Sequence, residues 1–194
     1  MDNTYVFPDH PARYSSDRIA QIPKIVGTTA REAAPLVPYP LNNVTAGPSE
    51  ALITSRTLGI VCAAYNTSVY RDEANIATYR HEWAGNFSNI APIPWLGAYH
   101  YSDLYMFFGT YPTAPGVISD FEVETADKMQ DLLYAFVEDP DSLPDKGWPE
   151  YQATDGNGGR LARFGADGKV LQLVDGNEVE GACHLPGYSY DTTP

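Results

Sequence analysis

Lys24-Ile25-Val26-Gly27-Thr28-Thr29 is a short apolar run, rich in β-branched residues, that ends in a polar turn. A run bounded in this way has the character of a buried central strand, covered on both faces. The next stretch of comparable kind, Ala77-Thr78-Tyr79-Arg80-His81-Glu82-Trp83, alternates in the manner of a strand and follows roughly fifty residues later. Between them, residues 35–48 carry four prolines and a glycine and read as a loop. Ser49 then stands as the N-cap of a helix running to about Ala64, with Leu52, Ile53, Ile60, Val61 and Ala64 near helical spacing. A second helix is expected over 68–74.

Outward from this centre the elements thin. At the N-terminus, residues 5–9 read as an extended stretch entering a proline turn, and 12–20 as a short helix stopped before Pro23. Residues 84–116, rich in aromatic, glycine and proline residues, read as loop. The clearest helix covers 124–138, where Met129, Leu132, Leu133, Phe136 and Val137 recur at i, i+3, i+4, i+7 and i+8. Residues 160–164 and 169–174 alternate around Gly165-Ala166-Asp167-Gly168, a hairpin signal. Two core strands and a small hairpin fall short of an independent doubly wound sheet. The chain therefore reads as α/β, an incomplete sheet whose other strands lie elsewhere.

The net charge of −13 over 194 residues excludes a nucleic-acid partner, which needs a clustered cationic face. No apolar run approaches the span of a bilayer, so no membrane span is expected. Met1 leads directly into Asp2-Asn3-Thr4, without a signal peptide. That pattern fits either a cytosolic protein or a chain whose natural N-terminus lies further upstream. Three sequons, at Asn43, Asn66 and Asn86, lean towards the secretory route and the second of these. The two cysteines, Cys62 and Cys183, have no metal-ligand spacing and leave open a long-range disulfide or two inert thiols.

A serine hydrolase of the α/β type needs a G-x-S-x-G elbow to lift its hydroxyl above the sheet, and none occurs. The nearest approach, Gly187-Tyr188-Ser189-Tyr190-Asp191, lacks the second glycine. Cys62 lies on an apolar helix face and has the character of a structural residue. Among the histidines, His10 and His184 stand among prolines near the ends, and His81 lies on a strand with a structural or solvent-facing role. His100 differs, because it follows Leu96-Gly97-Ala98-Tyr99 in a loop beyond a strand. A general base belongs at such a place, positioned by the strand and exposed by the loop. From the residues alone, a structural histidine is still the simpler reading.

Gly97-Ala98-Tyr99-His100-Tyr101-Ser102-Asp103-Leu104, followed by Phe107-Phe108-Gly109, resembles the histidine region of the type-B carboxylesterases. That family includes fungal secreted esterases and lipases and the cholinesterases. Ile22-Pro23-Lys24-Ile25-Val26-Gly27-Thr28-Thr29-Ala30-Arg31-Glu32 resembles the family's strand and turn bearing the triad acid. The resemblance continues in order through the Cys62 helix, the Thr78-Tyr79-Arg80 strand, Gly147-Trp148-Pro149-Glu150-Tyr151 and the terminal hairpin with Cys183. It departs at Tyr101, where the family has glycine, at Tyr105, where proline is common, and at Ala33, which replaces the glycine after the acid.

The resemblance implies the C-terminal portion of an α/β-hydrolase fold over residues 1–194: last sheet strands, packing helices and terminal hairpin. It assigns His100 as catalytic base and Glu32 as its orienting acid, implies a Cys62–Cys183 disulfide and a secreted parent protein, and calls for no cofactor and no metal. The partner it implies is a small-molecule carboxylic ester, once the chain is joined to a missing N-terminal part carrying the serine and the oxyanion hole. The chain alone is expected to be inactive. The alternative is a non-catalytic cholinesterase-like binding or adhesion module.

Overall fold

The computed structural model describes residues 4, 7–16, 18–153 and 157–193. The extended stretch read for 5–9 lies partly outside them. The described elements are α1 (His10–Tyr14), β1 (Lys24–Thr29), α2 (Glu50–Glu73), β2 (Thr78–Trp83), α3 (Ser102–Phe107), α4 (Asp120–Glu138), β3 (Arg160–Ala166), β4 (Lys169–Asp175) and α5 (Gly176–Glu180), with short 3-10 turns between them. The strands form one mixed sheet in the order β1-β2-β3-β4, the first three parallel and β4 antiparallel. The hairpin is therefore no separate appendage: its first strand pairs β2 directly, His81 lying opposite Ala162. At the hairpin turn, Asp167 and Gly168 both take positive φ, as a tight two-residue turn requires. Among the described residues nothing pairs with the outer edge of β1.

β2 is buried along its whole length. Its alternation separates two kinds of core rather than core from solvent. Tyr79, His81 and Trp83 face an aromatic and aliphatic layer that includes Trp148, Phe164, Met129 and Leu132. Arg80 and Glu82, on the other face, are buried as ion pairs, Arg80 with Glu180 and Glu82 with Arg163 at 2.6 Å. Burial raises the Glu82 carboxyl above its usual range, and Arg163 opposes that shift. Buried pairs of this kind add little net stability, but removing one partner costs about 3–5 kcal/mol. A second, smaller apolar cluster joins Val61 of α2 to Leu161, Val174 and Val179.

Several element readings need correction. The helix expected over 12–20 is α1, which begins earlier, places Pro11 in its first turn and is capped at Ser15. The two helices expected over 49–64 and 68–74 are the single helix α2. The Thr67 and Ser68 hydroxyls donate back to the carbonyls of Ala63 and Ala64, at 2.9 Å each, so the polar triplet stays helical. Ser49 occupies the N-cap position of α2 without a side-chain cap bond. The stretch 84–116 contains α3 in addition to loop. α4 starts at Asp120 because the Ser119 hydroxyl accepts from the Glu122 N–H at 3.1 Å. Cys62 and Cys183 form a disulfide, Cα atoms 5.3 Å apart, that ties α2 to the tail across 121 residues. In the chain-entropy account a loop of that size is worth about 5 kcal/mol.

Candidate active site

Two loops carry the site, each leaving the end of a parallel strand. Beyond β1 the chain turns through Ala30 and Arg31 to Glu32, which is 4% exposed. Glu32 Oε1 accepts the Thr29 N–H at 2.8 Å, and Oε2 makes a short contact with His100 Nδ1. The acid is thus fixed from its own turn, and its second oxygen fixes the imidazole. The two loops are joined directly: the Arg31 N–H donates to the Ala98 carbonyl at 2.9 Å, and Arg31 and Tyr99 form a parallel bridge. The approach depends on Gly97, at φ +54, where a Cβ would lie 2.4 Å from Arg31 Cδ. The Arg31 guanidinium is spent on this scaffold, bonding the Trp95 carbonyl, the Thr192 hydroxyl and Glu50.

His100 is held from its C-terminal side as well. Ser102 Oγ donates to the Tyr99 carbonyl at 2.6 Å and accepts the Trp83 indole N–H at 2.9 Å. The histidine loop is therefore pinned to the end of β2. Tyr101, between the two, has φ +70 and stands at the N-cap of α3. Left-handed backbone costs a residue with a Cβ about 1–2 kcal/mol, which gives a physical reason for glycine at this position in the resembling motif. Tyr101 is 63% exposed, and its ring centroid lies 3.8 Å from that of His100. The other departure, Ala33, carries no such cost: its φ is −86 and its N–H donates to Thr57 Oγ1 at 3.0 Å.

The tail closes over the acid turn. The Tyr190 hydroxyl donates to the Ala30 carbonyl at 3.3 Å. Burial, with the Glu82 and Glu32 carboxylates nearby, pushes this hydroxyl well above its ordinary pKa and keeps it a donor. Ser189, the serine of the imperfect elbow, lies in exposed coil beside it.

The pair opens on a cleft of about 290 Å³ lined by Gly27, Glu32, His81, His100, Tyr101 and Phe107 among others. His81, read as structural or solvent-facing, is buried at 3% exposure and reaches this cleft from β2. Its ring lies among Phe107, Trp148 and Phe164, at centroid distances of 5.1, 5.7 and 6.0 Å. Nε2 is 3.4 Å from Asp103 Oδ2, and Nδ1 is buried without a partner. Sequence reasoning missed Trp83, Asp103, Ser102 and Tyr190 as supporting residues. The adjacency of Ser102-Asp103 to His100 was the available signal. His10 and His184 are exposed, as expected of end residues, and the sequon asparagines Asn43, Asn66 and Asn86 are all exposed. No helix among the described residues is long and apolar enough to cross a membrane.

No family model matches the chain. It is 34% identical to Secreted lipase 5 of Gibberella zeae, over 97% of this chain and 36% of that protein. It is 32% identical to the chlorogenic acid esterase of Aspergillus niger, over 94% of this chain and 38% of that protein. A solved esterase from Clostridium hathewayi, described as hydrolysing aliphatic aromatic polyesters, overlaps 73% of this chain and 33% of its own at TM-score 0.46 and 22% identity. By sequence the chain is thus related to fungal esterases and lipases over nearly its whole length, and it spans little more than a third of the curated relatives it matches.

Proposed function

We propose that this chain is the base- and acid-bearing C-terminal segment of a secreted carboxylic ester hydrolase of the type-B carboxylesterase kind, within an α/β-hydrolase fold. One observation carries the reading. Glu32, anchored by the Thr29 N–H, meets His100 Nδ1 at the end of two neighbouring parallel strands, beside an open cleft. A carboxylate on Nδ1 fixes the tautomer and stabilises the imidazolium, leaving Nε2 to take a hydroxyl proton and return it to the departing alkoxide. The hydroxyl and the oxyanion hole belong to residues outside these 194. The unpaired edge of β1 and the greater length of the relatives support that division. The disulfide and the three exposed sequons support an oxidising, extracellular setting.

The activity of the whole protein is then hydrolysis of a small carboxylic ester, with no cofactor or metal taking part. The chain alone lacks the oxyanion hole, worth about 3–4 kcal/mol per donor, and is inactive. A non-catalytic binding module is the second reading, favoured by the Tyr101 ring lying against the imidazole.

The test compares two proteins on nitrophenyl butyrate: the 194-residue chain, and the polypeptide extended upstream along its own reading frame. The expected result is no turnover from the first and, from the second, turnover that His100→Ala abolishes. Turnover by the short chain that His100→Ala removes would place a nucleophile within it and overturn the division. An extended frame without a serine elbow, or turnover indifferent to His100→Ala, would favour the binding module.

A further inference from the structure

The acid turn, residues 30–33, is held by two segments that are remote from it in sequence. The first is α2, where Thr57 Oγ1 accepts the Ala33 N–H at 3.0 Å and the Glu50 carboxylate pairs with Arg31 at 2.8 Å. The second is the tail. The Tyr190 hydroxyl donates to the Ala30 carbonyl, and Thr192 Oγ1 accepts from Arg31 Nη1, each at 3.3 Å. Ala30 is 1% exposed, and no other donor among the described residues reaches its carbonyl. A buried carbonyl needs a partner, so the turn relies on the tail for one.

The tail has little else to hold it. Between residues 184 and 193 only Tyr190 and Thr192 are buried, with Asp191 exposed between them. The two buried side chains are the two that touch the acid turn. Terminal segments stay ordered only where they are tied down. Here the tie is the Cys62–Cys183 disulfide, beside which His184 stacks on Tyr65 of α2, ring centroids 4.5 Å apart. Cys62 and Thr57 belong to the same helix. The path therefore closes on itself: α2, disulfide, tail, acid turn, and back to α2.

Glu32 sits inside this ring. Its separation from the imidazole follows from the course of residues 30–33, and a misplacement of about 1 Å costs on the order of 10²-fold in rate. We infer that residues 184–193 are a positioning element for the Glu32–His100 pair, with Tyr190 and Thr192 as its contacts and the disulfide as its anchor. Neither contact residue meets the reacting groups; both act through the acid turn. The effect on turnover rests on the functional proposal above, and the effect on the pair's geometry does not.

Two readouts test it. The extended polypeptide gives kcat and KM on nitrophenyl butyrate. The 194-residue chain gives the ring nitrogen NMR shifts of neutral His100, which report the tautomer that Glu32 fixes. For Tyr190→Phe and for Thr192→Val, the expected result is kcat lowered by about tenfold with KM held, and a mixture of tautomers in place of the Nδ1–H form. The Tyr190 hydroxyl also faces the Glu82 carboxylate, so the Thr192 variants isolate the hold on the turn. Thr192→Ser keeps the acceptor and should restore both readouts. The anchor is tested by inserting two glycines after Gly187, which is exposed and free of close neighbours. That slackens the tail with the disulfide intact, and should give the signature of Thr192→Val. Loss of stability with kcat and tautomer unchanged in Tyr190→Phe and Thr192→Val would make the tail a packing element and overturn the inference. An insertion that leaves both readouts at the parent's values would overturn the anchor. If the extended polypeptide keeps its turnover without His100 while the tautomer still responds to Thr192→Val, the functional proposal falls and the positioning role stands.

Discussion

Two histidine–carboxylate pairs line one cleft, His100 with Glu32 and His81 with Asp103, and the proposed function gives them opposite roles. His100 is partly exposed, and its carboxylate partner is itself gripped by the Thr29 N–H. His81 is caged by Phe107, Trp148 and Phe164, has one ring nitrogen unpaired, and reaches Asp103 only at 3.4 Å. Each joins an imidazole to a carboxylate. What differs is whether the acid is anchored on its far oxygen and whether the imidazole has a face towards a ligand. A proton-transferring pair needs both, and a packing histidine needs neither.

Exchanging the two histidines for alanine should break the comparison most sharply. In the extended polypeptide, His100→Ala is expected to lower kcat by about 10³–10⁴-fold with little effect on stability. His81→Ala should instead cost about 3 kcal/mol through the cavity left in the aromatic layer. Its effect on kcat should stay within about tenfold. Ester turnover together with urea denaturation of each variant measures both axes. Equal kinetic losses would mean that His81 takes part in the chemistry.

Gly27→Ala sharpens the same contrast from the neighbouring strand. A Cβ there would lie 2.0 Å from His81 Cε1, so the ring must move or the strands must part. Overpacking of this kind costs about 1–3 kcal/mol. The His81 resonances should shift, and those of His100 should hold, because Glu32 and its Thr29 anchor are not displaced. A perturbed His100 would show that the two pairs are mechanically one unit.

Ser102→Ala attacks the support that His100 has and His81 lacks. It removes the acceptor of the buried Trp83 indole N–H and the hydroxyl bond to the Tyr99 carbonyl, which keeps only the Ser102 N–H. An unpaired buried donor costs about 1–3 kcal/mol. A fall in kcat of about tenfold, with KM held, would show that the loss acts through the placement of His100. Unchanged kcat would make Ser102 a stability residue only.

These supports also mark where the sequence was legible and where it was not. The strands, the hairpin and α4 follow from local pattern, and their existence was readable. The Glu32–His100 pair came from motif resemblance, because the residues alone favoured a structural histidine. The length of α2 was hidden by Asn66-Thr67-Ser68, whose hydroxyls satisfy themselves on their own helix. α3 was hidden by its brevity and aromatic content. The alternation in β2 was visible, but not that its polar face would be buried through Arg163 and Glu180, partners roughly eighty and a hundred residues away, since pattern rules see only near neighbours. The pairing of β3 with β2 is a long-range fact of the same kind.

Asp103→Asn is the mildest change. The His81–Asp103 separation of 3.4 Å lies beyond the usual range for an N–H···O bond, so little hydrogen-bond energy is present to lose. Asparagine keeps an amide that can meet His81 Nε2 as acceptor or donor, whichever tautomer the ring takes. The remaining loss is a negative charge in the first turn of α3, worth about 0.3–1 kcal/mol against the helix dipole. The expected outcome is a stability change of about 0.5 kcal/mol and turnover within about twofold of the parent. The paired measurement is Glu32→Gln, where the acceptor on Nδ1 is neutralised and the tautomer is no longer fixed. That loss should be about 10⁴-fold in kcat, the order expected when an orienting carboxylate is replaced by its amide. If Asp103→Asn approached the kinetic effect of Glu32→Gln, the proposed division of labour between the two pairs would have to be abandoned, and Asp103 would have to act on the reacting groups through His81.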